Sequence, residues 1–95
     1  NLRLTLEKSR KQLQKEIQTA YINATVAYEK RNSAHKAVLS ADEAFRNTRE
    51  LYENGKLSVF DFAQSQTNLS QARANEVQAK YDYVFKMKVL EFYRR

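Results

Sequence analysis

Apolar positions recur along this chain at helical spacing, and the first long stretch has a seven-residue beat. Positions 6, 13, 20, 27, 34, 41 and 48 are Leu, Leu, Ala, Ala, Ala, Ala and Thr. A companion register at 17, 24, 38, 45 and 52 supplies Ile, Ala, Val, Phe and Tyr, with Arg31 interrupting it. Heptad spacing predicts a left-handed supercoil, and alanine at the contact line lets two backbones come close. The predicted inter-helix seam therefore includes Ala20, Ala27, Ala34, Ala41 and Phe45. Across from them, Phe62, Leu69, Tyr83 and Leu90 form a stripe in the second half, of which Phe62 and Leu69 are the predicted seam partners.

Punctuation is scarce and falls in one place. Residues from about 3 to 53 contain good helix formers throughout and no breaker. Asn54-Gly55 follows, and Gly55 is suited to the left-handed conformation that ends a helix, which a Cβ would penalise. Ser58-Val59-Phe60-Asp61 then reads as an N-cap with an acid at the third helical position. A second helix is expected from about 59 to 93. The expected fold is all-α, a long antiparallel two-helix coiled-coil hairpin whose tip turn is 54–58. At 1.5 Å per residue the rods would measure roughly 75 and 50 Å.

The apolar positions outnumber what one seam can bury. Tyr21 and Tyr28 widen the first helix's stripe on one side, and Ala37, Ala44 and Leu51 widen it on the other. In the second helix Ala63, Val77 and Val84 make one extra stripe, and Ala74, Tyr81, Phe85 and Phe92 another. A helix packed against one partner hides about 100° of its circumference. Scattered surface aromatics need no explanation, but these recur in register. They imply neighbours on both sides, as in one stave of a larger helical assembly.

Composition closes off the other fold classes. The 95 residues include one Gly, no Pro and no Cys. Sheet folds need turn residues that are missing here, and without Cys there are no disulfides, thiolate sites or thiol nucleophiles. A single histidine, His35, builds no imidazole cluster and reads as a solvated or seam-flanking residue. No phosphate loop, metal-ligand spacing or catalytic triad is present, so neither enzymatic activity, a cofactor nor a metal is expected. No run is long and apolar enough for a membrane helix. The chain begins at Asn1 rather than Met, which suggests a piece of a longer, processed protein.

The formal net charge of +6 is unevenly spread. Residues 1–15 hold five basic and one acidic side chain, and residues 80–95 hold five and two. Residues 41–61 reverse this, with three basic and five acidic. A folded-back chain would have a positive open end and a mildly acidic tip.

The residues around the turn resemble the periplasmic hairpin tip of TolC-like outer membrane efflux proteins. The stretch Tyr52-Glu53-Asn54-Gly55-Lys56-Leu57-Ser58-Val59-Phe60-Asp61-Phe62 is similar to that family's Tyr, Gly, Ser or Thr, and Asp at matching spacing. Asn68-Leu69-Ser70-Gln71-Ala72 continues as the family's Leu- and Ala-rich helix does, and Ala79-Lys80-Tyr81-Asp82-Tyr83 is similar to its Ala-basic-Tyr-x-Tyr element. Ser40-Ala41-Asp42-Glu43-Ala44-Phe45 sits where the family carries an Ala-rich seam leading into the tip. The resemblance covers roughly residues 14 to 92.

It implies a homotrimeric channel whose chains each give outer-membrane strands and two helical hairpins to a periplasmic α-barrel. This chain would be one hairpin of that barrel, and the channel would serve multidrug efflux or type I secretion. Its partners would be a periplasmic adaptor and an inner-membrane pump, with no nucleic acid. The membrane would be reached only through the β-barrel part. Asn54, Gly55, Lys56, Leu57 and Ser58 would form the adaptor-docking tip, and Tyr52 and Asp61 would belong to the aperture. Asp61 also serves as a helix cap, where its charge is favourable by about 0.3–1 kcal/mol. The sequence departs from the family where Asn54 replaces a frequent aliphatic residue, Leu57 an arginine and Gln64 a second aspartate. Two other classes fit the composition: a basic hairpin gripping structured nucleic acid, and a purely structural coiled-coil module. The basic residues share no single stripe and the tip is acidic, which disfavours the first.

Overall fold

The computed structural model describes residues 1–94 and consists of two helices, α1 (Leu2–Glu53) and α2 (Val59–Arg94). They run antiparallel in a rod whose principal extents are 79 × 19 × 13 Å. The fold is the expected all-α hairpin. Asn1 caps α1, its side-chain oxygen accepting from the Arg3 N–H at 3.1 Å. Neither helix has an internal breaker, and one turn separates them.

The seam follows a strict alternation of three and four residues. In α1 the sheltered positions are Ile17, Ala20, Ala24, Ala27, Arg31, Ala34, Val38, Ala41, Phe45 and Thr48. In α2 they are Phe62, Ser65, Leu69, Ala72, Glu76, Ala79, Tyr83, Lys86, Leu90 and Tyr93. Among the described residues only Ala20, Ala24, Ala27, Leu69 and Leu90 are buried. Two helices can enclose no more than that, so the core is a line rather than a volume. Ala20, Ala24 and Leu90 form its best-packed cluster, flanked by Met87, Val89 and Tyr93.

Because α1 is 52 residues long and α2 is 36, the first turns of α1 overhang the hairpin. Leu6 and Leu13 continue the heptad in sequence yet stay exposed, since α2 ends beside Ile17 to Ile22. The heptad pattern is intact there.

Candidate functional site

The tip is built by backbone rules. Asn54 ends α1 at φ −89°, ψ 8°, and Gly55 takes φ 72°. The Gly55 N–H donates to the Tyr52 carbonyl at 3.0 Å, and the Lys56 N–H donates to the Leu51 carbonyl at 2.9 Å. This pair of bonds is a Schellman closure, which satisfies carbonyls a helix end would otherwise leave bare. A Cβ built on Gly55 would meet nothing within 4 Å. Glycine is needed here for its dihedral angle, and the space outside it is open. Ser58 then starts α2: its Oγ accepts from the Asp61 N–H at 3.2 Å and its carbonyl from the Phe62 N–H at 3.1 Å. Asp61 lies in the first turn of α2 with its carboxylate exposed at the helix N-terminus. Of the five tip residues only Leu57 is half-buried; Asn54, Gly55, Lys56 and Ser58 face outward.

Below the turn the seam is aromatic. Tyr52 stacks on Phe62, and Phe62 also meets Phe45 at a centroid distance of 5.6 Å. Farther from the tip Tyr28 meets Tyr83 at 5.5 Å, and the Arg31 guanidinium lies over the same Tyr83 ring at 5.5 Å. Arg31 thus occupies a seam position by laying its charge on a π face, an arrangement worth about 0.5–1 kcal/mol at an exposed site. Of the remaining predicted seam residues, Ala20, Ala27 and Leu69 are buried and Ala34 and Ala41 half-buried.

The middle of the seam contains a polar layer that periodicity alone did not point to. Glu76 occupies a core position with its side chain 15% exposed. His35 Nδ1 lies 2.7 Å from Glu76 Oε2 and Lys80 Nζ lies 3.5 Å from Oε1. The His35 hydrogen bond, reinforced by Lys80 and outweighing desolvation, holds the Glu76 carboxyl below its ordinary 4.5. One turn nearer the tip, Asp42 binds Arg46 at 3.2 Å and reaches Arg73 of the other helix at 3.9 Å. The sequence signal was an acid interrupting the Phe62, Leu69, Tyr83, Leu90 stripe at its third heptad position.

The surfaces outside the seam differ from each other. One flank carries Tyr21, Tyr28, His35 and Asp42 from α1 beside Arg94, Met87, Lys80 and Arg73 from α2. The opposite flank has Lys30 and Asp82 bordering a shallow groove, and nearer the tip the small or amide residues Ala37, Ala44, Asn68 and Asn75. Along α2's outer back, Phe60 and Tyr81 are 75% and 74% exposed, with Val77 and Val84 also open. These are the extra stripes of the sequence, and the hairpin leaves them uncovered. In all, 7994 Å² is accessible, whereas a compact monomer of this size exposes about 5700 Å².

The profile of the outer membrane efflux proteins matches residues 2–90, nearly the whole chain. The chain belongs to the outer membrane efflux protein family. No curated relative and no solved structure matches it. Outer membrane efflux proteins are channels of the bacterial outer membrane with helical periplasmic parts. In this outer membrane efflux protein the long helices, the tight turn and the uncovered stripes occur together in one hairpin.

Proposed function

We propose that this hairpin is a stave of the periplasmic α-barrel of a trimeric outer membrane channel that exports drugs or secreted proteins. Its stripes outside the seam are the contact faces for adjacent hairpins, Tyr52 and Asp61 belong to the periplasmic aperture, and residues 54–58 form the end that meets a periplasmic adaptor coupled to an inner-membrane pump.

The observation that carries the reading is the surplus of apolar surface in register. The total accessible area exceeds that of a compact chain by about 2300 Å², as a thin rod's must, and its apolar part includes Val77, Tyr81, Val84 and Phe85. That surface is ordered into heptads rather than scattered. The tip adds a second support, since its four outward residues, open Gly55 among them, offer a small backbone-rich knob to a partner.

The test is bulk at Gly55 in the full-length protein. Gly55→Trp is expected to abolish export while trimers still assemble, because the added ring points into open space. Gly55→Ala carries the same dihedral strain without the bulk and is expected to retain most export. Normal drug resistance from the Trp variant would remove the docking role of the tip.

A further inference from the structure

The two contact stripes do not lie opposite each other, and that asymmetry decides which flank a row of such hairpins encloses. On α1 the small outer stripe runs through Ser33, Ala37, Ser40, Ala44 and Leu51. At 100° per residue it lies roughly 110° around the helix from the seam, on the amide flank. On α2 the outer stripes, Ala63, Val77 and Val84 with Ala74, Tyr81, Phe85 and Phe92, centre almost directly opposite the seam. A flat row would need both at roughly 180°. The first departs by roughly 70° toward the amide flank and the second by little. Adjacent hairpins are therefore turned by roughly 70° with the amide flank on the concave side.

The side chains found there suit a passage. Gln64 Nε2 donates to Asn68 Oδ1 at 3.2 Å, and Gln71 Nε2 donates to Asn75 Oδ1 at 3.2 Å. Gln78 continues the ladder, and all five are exposed. Between Asp61 and Asp82, which share this flank, no ionisable side chain interrupts these amides over about 30 Å of helix. The opposite, convex face carries Glu29, Lys36, Glu43, Arg46 and Glu50 of α1.

We propose that α2 lines the conduit with the amide ladder Gln64, Asn68, Gln71, Asn75 and Gln78, giving a neutral sleeve beyond the Asp61 ring. This deepens the barrel-wall reading and rests on it. A sleeve without fixed charge sets no preference for the sign of the solute, and its amides keep both donors and acceptors free to hydrogen-bond solutes of either charge. Discrimination by charge then falls to Asp61 at one end, since at the other Asp82 shares its groove with Lys30 and Lys86. The substrate class that fits is one of mixed charge, selected at the mouth rather than along the wall.

The experiment uses the full-length protein in planar lipid bilayers, with Gln71→Cys and Glu43→Cys compared before and after a negatively charged methanethiosulfonate reagent. Both positions are exposed and on helix surfaces, so neither change disturbs the seam. Modification of Gln71→Cys is expected to raise the cation-over-anion permeability ratio several-fold, and modification of Glu43→Cys to leave it within experimental scatter. Channels that respond at position 43 and not at 71 would overturn the flank assignment while leaving the wall reading intact. A protein that forms no channel at all would overturn both.

Discussion

Tyr52 and Phe62 stack across the turn, with ring centroids 4.6 Å apart and planes inclined by 18°. The contact joins the last turn of α1 to the first turn of α2, just behind Gly55 and Ser58. It anchors the turn end of the hairpin, where no residue is buried. Phe62 touches Phe45 as well, so it is the hinge of a three-ring cluster.

Removing the hinge ring should cost more than removing the hydroxyl beside it. Phe62→Ala is expected to lower the unfolding free energy by about 2 kcal/mol, from lost apolar burial and two aromatic contacts. Tyr52→Phe keeps the stack and should change stability by less than about 0.5 kcal/mol. Urea denaturation followed by circular dichroism measures both. In the full-length channel, the same Tyr52→Phe change should raise resting conductance if the hydroxyl bridges neighbouring hairpins at the aperture.

Gly55 gives a prediction with a defined physical origin. Its φ of 72° with no atom near its Cβ position means that substitution is penalised by backbone conformation alone. Gly55→Ala should destabilise the hairpin by about 1–2 kcal/mol, and Gly55→Asn by less, because Asn tolerates the left-handed region. Loss of the cap in Ser58→Ala should cost about 1 kcal/mol. An equal effect of Ala and Asn at position 55 in thermal melts would contradict the conformational explanation.

The Glu76 layer predicts a dependence on acid. The folded state lowers this carboxyl below its ordinary 4.5, chiefly through the His35 hydrogen bond. A depressed folded value means that the ionised group stabilises the fold above 4.5, and that this stabilisation is lost as pH falls through the lowered value. The difference in melting temperature between wild type and Glu76→Gln should therefore be present at neutral pH and shrink in that acid window. His35→Ala should move the Glu76 titration, followed by carboxyl NMR, upward toward the ordinary value. An unchanged Glu76 titration would exclude His35 as the cause.

The uncovered stripes predict self-association of the isolated chain. Residues 1–95 should be strongly helical and should form oligomers at high concentration, with Tyr81→Lys and Val77→Glu together reducing the association constant by tenfold or more. Light scattering over a concentration series reads this directly. A clean monomer for the unmodified chain would show that the exposed apolar surface holds nothing.

The sequence by itself determined what depends on near neighbours along the chain. Helix content follows from the lack of breakers, the turn from the only Gly beside Asn54, the start of α2 from Ser58 and Asp61, and the seam of α1 from its heptads. Each of these involves residues no more than about seven apart, so the pattern can be read in a string of letters. The second register of α2, through Ser65, Ala72, Ala79 and Lys86, was hidden because it is polar or small and is sheltered only by α1. Pairings across the hairpin, such as His35 with Glu76 or Asp42 with Arg73, depend on the level at which the turn sets one helix against the other. The same level leaves Leu6 and Leu13 without a partner and puts the amides of α2 on one flank and the charges of α1 on the other. Those facts belong to the tertiary structure because they relate residues tens of positions apart, and only the packed seam fixes which of them meet.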